Sequence, residues 1–310
     1  MNLDLLHQVL NQKSLPSIPQ VALEVVRLCG ADDAPLEKIG DAVARDPSLA
    51  ARLLRMANSP VFGTPRRVGS VPQAVTLLGL RTVRVVTISS ALVDGIEHGR
   101  VPGFPYVRFW WDAVVSGLAS RHLAHRAGVP NPDEVFVAGL LQDLGVHGLA
   151  TALGAEYLVL LETARGGEED LGTLERERLD LHHGEVSAAL LRAWEFPELL
   201  AEAVRRHVGG PLAVPPTDKA DAIAGCLYTA EMARRLFRAP SSTLIEEYGR
   251  RAARVLGLGA QPAQQVLQSV RVQLRDTADS LRLNLEDEGM PTGPVWDETG
   301  APSPPVTATR

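Results

Sequence analysis

The sequence predicts an all-α protein of two packed helical lobes, on three observations. No stretch sustains the apolar-polar alternation of a half-buried strand. No Asn-Gly or similar dipeptide joins two alternating runs, as a hairpin would need. Apolar runs at helical spacing are instead punctuated throughout by capping residues, prolines and glycines.

In chain order, Ser17-Ile18-Pro19 opens a helix with a capping hydroxyl and an early proline. Val21, Val25 and Leu28 line one face, and Gly30 can end it. Asp46-Pro47 opens another, which carries Leu49, Leu53, Leu54 and Met56 toward Asn58, where Ser59-Pro60 forbids continuation. The helix stop accounts for Asn58 and Ser59 without a functional role. Ser70 and Pro72 start a short helix that ends at Gly79, and a strongly apolar one runs from Thr82 to Ile96. The Gly- and Pro-dense segment from His98 to Pro105 then suits a connection between lobes.

That break sets the organisation: an N-terminal lobe over 1–97, a second helical lobe over 98–240, a helical extension over 241–289 and a tail over 290–310. Helices are expected near 106–127, 133–149, 155–165, 170–180, 184–194, 197–208, 217–237, 243–256 and 261–285. The tail has five prolines and few apolar anchors, so it reads as disordered. Trp110-Trp111, early in a long helix, reads as core and interlobe packing rather than a stacking platform.

Composition excludes several function classes. Apolar residues are 45% and charged residues 22%, the balance of a globular chain. Of 31 basic residues 28 are arginine, yet net charge is −6, so no concentrated positive face for nucleic acid is expected. Arg234, Arg235 and Arg238 read as a solvated helix end that complements the dipole. Cys29 and Cys226 form no framework and fit a reducing compartment as core residues. The N-terminus does not read as a secretion signal. The Thr82 to Ile96 run, broken by Arg84 and Asp94, is shorter than the about 20 residues a membrane span needs. A cytoplasmic protein without membrane insertion is expected. No Gly-rich phosphate loop or GxSxG elbow is present.

The stretch that could carry chemistry is Ala138-Gly139-Leu140-Leu141-Gln142-Asp143-Leu144-Gly145, together with His183 in Leu181-His182-His183-Gly184-Glu185-Val186 and His207 after Arg205-Arg206. Taken singly, an acid near a helix end caps or is solvated, and a lone histidine is a surface or core residue. Convergence of the three would change that reading.

From about Leu15 to Glu231 the sequence resembles the HDOD family, a branch of the HD-domain superfamily. The phrases that carry the resemblance are Leu15-Pro16-Ser17-Ile18-Pro19, Asp46-Pro47-Ser48-Leu49, Leu53-Leu54-Arg55-Met56-Ala57-Asn58-Ser59 and Ala74-Val75-Thr76-Leu77-Leu78-Gly79. Ala138-Gly139-Leu140-Leu141, His183-Gly184-Glu185-Val186 and Trp194 with Phe196-Pro197 extend it. Catalytic HD relatives hold metal ions with a first histidine, a His-Asp pair, further histidines and a late aspartate. Such ligands lower the pKa of a bound water for attack on phosphorus.

By position this chain keeps Asp143, His183 and His207. Asp112 falls near the first histidine, Gln142 replaces the histidine of the pair, Val208 stands where a partner is expected after His207, and Glu231 aligns loosely with the late aspartate. An amide is a poor substitute for imidazole on a transition metal, and valine cannot ligate. The signature of the cyclic di-GMP phosphodiesterase branch, Gly-Tyr-Pro, is also missing.

The resemblance therefore implies a pseudoenzyme with a degenerate site at Asp112, Gln142, Asp143, His183 and His207, and no cofactor. A retained metal site would use Asp112, Asp143, His183 and His207. The implied role is a regulatory module that binds a protein partner or a ligand in bacterial signalling, in the setting of two-component or cyclic-dinucleotide systems. The competing expectation is a metal-dependent phosphohydrolase acting on a nucleotide or cyclic dinucleotide.

Overall fold

The computed structural model describes residues 2–12, 20–30, 35–58, 67–98, 101–166, 170–209, 216–280, 295–296 and 302–303. Among the described residues the chain forms fifteen α-helices, as the punctuation of the sequence predicts. The chain divides into two units. One gathers the described residues of Met1–Lys13, Val101–Leu274 and Leu285–Arg310, the other those of Ser14–Arg100 and Arg275–Asn284.

The smaller unit contains α2 (Gln20–Gly30), α3 (Leu36–Ala44), α4 (Pro47–Ala57) and α5 (Val71–His98). Its core is built from fully buried Val25, Ile39, Val43, Leu53, Val75 and Val83. Asp46 caps α4: its carboxylate accepts from the Ser48 and Leu49 amides at 2.9 and 3.1 Å. The Ser17 cap and the Ser59-Pro60 stop lie outside the described residues. Asn58 does more than end its helix, because its amide donates to the carbonyls of Leu54 and Val68 while its oxygen accepts from the Val68 amide at 2.8 Å. Helix α5 breaks at Gly79 (φ 73, ψ 161), where the sequence ends one helix and starts the next.

In the larger unit, α1 (Leu3–Leu10) sets Val9 against Gly148. Helix α6 (Tyr106–Ala127) is buried over most of its length. It crosses α7 (Pro132–Leu141) through Gly117 and Gly139, where a Cβ on Gly139 would stand 2.8 Å from the Ser116 carbonyl oxygen. Trp110 and Trp111 are both buried, and Trp111 packs against Phe237 with ring centroids 6.2 Å apart. Around them lie α8 (Leu144–Leu153), α9 (Ala155–Gly166), α10 (Leu171–Leu179), α11 (His183–Ala193), α12 (Glu198–Arg206) and α13 (Lys219–Arg238). Helix α14 (Ser242–Leu256) packs on α13, with the Arg251 guanidinium 4.0 Å from the Tyr228 ring centroid. The last helix is α15 (Ala260–Ser280).

One helix expected over 133–149 is two: α7 ends at Leu141 and α8 starts at Leu144, with a turn at Gln142 and Asp143. The cause is local backbone geometry at Asp143 (φ −101, ψ 13), which an uninterrupted apolar pattern does not reveal. The stretch Pro132–Leu153 is long and apolar enough to cross a membrane, but 89% of its most apolar window is buried within the protein. In the tail expected to be disordered, Val295–Trp296 pairs antiparallel with Pro302–Ser303, a ladder too short for an alternation signal. The rest of that tail lies outside the described residues.

Burial in this unit also creates a pH-sensitive element. His147 is 1% exposed, its Nε2 stands 3.4 Å from the Tyr106 hydroxyl, and Phe104 meets its ring edge-on. Desolvation lowers its pKa from 6.5 to about 4. The folded state thus keeps His147 neutral where the unfolded chain takes up a proton. Stability is fully present above pH 6.5 and should fall by up to about 3 kcal/mol as pH drops to about 4. Urea denaturation across that window should show a steeper loss for the wild type than for His147→Gln; parallel curves would refute it.

Candidate functional site

The residues singled out in the sequence come together in the larger unit. A capping box starts α11: the His182 ring accepts from the Glu185 amide, and the Glu185 carboxylate accepts from the His182 amide at 3.1 Å. This fixes His183 as the first residue of the helix. At the end of α12, Arg206 bonds Glu202, Asp218 and Asp221, tying the residue before His207 to the start of α13. The turn between α7 and α8 supplies Asp143.

Ligand atoms of Asp143, His183 and His207 all lie within 4.8 Å of one another. The Asp143 Oδ1 is 3.5 Å from the Nε2 of both histidines. This overturns the reading of Asp143 as a cap. It occupies the N-cap position of α8, yet its carboxylate makes no capping bond and faces the two imidazoles and Arg234 instead.

Both imidazoles are oriented from behind. The Glu175 Oε2 accepts from the His183 Nδ1 at 2.6 Å and from the His183 amide at 2.8 Å. The His207 Nδ1 donates to the Val204 carbonyl at 2.6 Å. Each acceptor offers only lone pairs, so each Nδ1 carries a proton and each Nε2 is turned toward Asp143. Burial alone would lower the His183 pKa, but the Glu175 and Asp143 carboxylates raise it to about 9. Burial acts to raise the Asp143 pKa, and Arg234 with the two histidines overrides it, holding the carboxyl well below the usual range.

Glu175 is a site residue that the sequence reading does not single out. Wholly buried within α10, it also accepts a hydrogen bond from the Tyr157 hydroxyl. A signal for it exists: Glu175 falls four residues after Leu171 and four before Leu179, on the apolar stripe of an otherwise charged helix.

The arginines of α13 are a second correction. Arg235 is exposed, as a solvated helix end would be, but Arg234 and Arg238 are half-buried, and all three border a cavity of about 350 Å³ shared with Asp143, His183 and His207. Arg234 pairs with Asp143, and Arg238 pairs with Asp112 through its Nε at 2.8 Å. Residues four apart on a helix share a face, so one stripe of α13 delivers both guanidinia. Asp112, Val208 and Glu231 also border the cavity. Gln142 does not border it: it is fully buried, and among the described residues neither its amide nitrogen nor its oxygen has a hydrogen-bond partner.

Whether these groups suit a metal can be tested on one atom. Asp143 Oδ1 is buried, makes no short hydrogen bond among the described residues, and is flanked by two imidazole nitrogens at 3.5 Å. Ligands about 2.0–2.1 Å from a tetrahedral zinc stand roughly 3.4 Å apart, close to the 3.5 Å between Oδ1 and each Nε2. The three residues fit a metal; Asp112 lies outside that cluster.

A family model described as HDOD domain matches residues 15–209. An HDOD domain protein of unknown function from Geobacter sulfurreducens superposes with a TM-score of 0.71 at 24% identity, covering 90% of this chain and 98% of that one. A protein from Shewanella amazonensis SB2B, provisionally named a phosphohydrolase, superposes with a TM-score of 0.70 at 23% identity, covering 89% and 97%. At such identities both speak to the fold. An uncharacterized protein from Treponema pallidum (strain Nichols) is 27% identical over 201 residues, 62% of this chain and 37% of its own length. The chain thus spans little more than a third of that relative.

Proposed function

The chain belongs to the HDOD family, a relation of the HD metal-dependent phosphohydrolases, and on that premise we propose that it is a noncatalytic regulatory module of bacterial signal transduction. It works in the cytoplasm by binding a protein partner or a ligand, without nucleic acid, and its candidate settings are two-component and cyclic-dinucleotide signalling. The observation that carries this reading is the pairing of Arg234 with Asp143 and of Arg238 with Asp112. Asp143, the counterpart of a metal-holding aspartate in catalytic relatives, here neutralises an arginine, and Asp112, near the place of their first histidine, neutralises another. Gln142 and Val208 remove two further ligands.

The purified chain, supplied with manganese, iron or zinc, should not hydrolyse bis-p-nitrophenyl phosphate above the rate of buffer. Metal-dependent turnover abolished by Asp143→Asn would replace this reading with the hydrolase. That alternative is favoured by one observation, the orphaned Asp143 Oδ1 between His183 and His207.

A further inference from the structure

We infer that Arg234 is a built-in substitute for a metal cation, and that it keeps a latent three-ligand site for a zinc-class divalent ion, formed by Asp143, His183 and His207, closed. The inference rests on the noncatalytic reading and goes beyond it in making Arg234 itself what excludes the ion.

The donor set is intact in ways a decayed site need not be. Both Nε2 atoms face the same carboxylate oxygen at 3.5 Å. Glu175 and the Val204 carbonyl still orient the rings through Nδ1, the arrangement that supports metal-bound histidine. Among the described residues Oδ1 makes no short hydrogen bond, its nearest neighbours being the two Nε2 atoms at 3.5 Å, so its lone pairs face the position between the three residues. What opposes a dication there is charge. Arg234 lies on the other oxygen of the same carboxylate and is only 14% exposed, so bulk solvent screens its charge weakly. A divalent ion would share Asp143 with a fixed positive charge, and Arg238 on Asp112 adds a second one helical turn away. Two acids on α6 and the α7–α8 turn are thus each matched by a guanidinium of α13, which supplies the neutralisation a metal otherwise gives.

The test uses the full chain: wild type, Arg234→Met, Arg234→Gln, and each of these variants combined with Asp143→Asn. Zinc is titrated by calorimetry, and cobalt by the visible absorption of a low-coordinate bound ion. Both single variants should bind one zinc per chain at least about tenfold more tightly than wild type, with cobalt bands that Asp143→Asn removes. Arg234→Gln keeps a polar, uncharged side chain on the Asp143 side of α13 and guards against loss of folding in the methionine variant. A folded Arg234 variant with no gain overturns the inference, and so does wild-type protein that already binds zinc as tightly as the variants. Hydrolysis of bis-p-nitrophenyl phosphate by the wild type would instead sink the noncatalytic reading, so the two failures are distinguishable.

Discussion

Gly145→Ala is expected to cost about 3 kcal/mol or more, at or beyond the top of the usual overpacking range. A Cβ there would collide with the His183 carbonyl oxygen and stand 2.9 Å from both the His183 carbonyl carbon and the Ser187 amide. These obstacles are backbone, which cannot rotate away, so α8 and α11 would have to separate. Separation would also break the bond from the Gly145 amide to the Ser187 hydroxyl at 2.7 Å. Asp143 immediately precedes α8 and His183 begins α11, so the lost stability and the spread of the site come from one methyl group. Urea unfolding at unchanged m-value would measure the cost. A loss below 1 kcal/mol would mean that the crossing yields far more easily than its contacts imply.

Local signals in the sequence explain much of the fold. Asp46 and Pro47 announce α4 because a cap acts within one turn, and Gly79 divides α5 because its φ of 73° suits glycine. The break at Gln142 and Asp143 escapes such reasoning, since both residues sit in an apolar run compatible with one long helix. Gly145 hints at a close neighbour, but only the fold identifies it as α11. Asp143, His183 and His207 can be chosen as candidates from residue type and family resemblance, whereas their meeting depends on three helix ends that are distant in sequence. The arginines escape for a related reason. Helix-end position describes the environment along one helix, and Arg234 and Arg238 owe their roles to carboxylates 91 and 126 residues away.

Glu175→Ala should destabilise the chain by about 3–5 kcal/mol, the range for removing one partner of a buried ion pair. Glu175 is 0% exposed and accepts from three donors, the His183 amide, the His183 Nδ1 and the Tyr157 hydroxyl. Truncation leaves those donors facing a void in a region where water cannot easily replace the lost oxygens. It also removes a negative charge from beside His183, which burial would otherwise drive toward its neutral form. Glu175→Gln separates the two contributions, because it retains one accepting oxygen and nearly the same volume while discarding the charge. Its cost should fall between those of the alanine variant and the wild type. Equal losses for the two variants would assign the effect to charge, with packing contributing little. A loss under 1 kcal/mol for Glu175→Ala would show that His183 and Tyr157 find other partners, and that Glu175 is not what orients the imidazole toward Asp143.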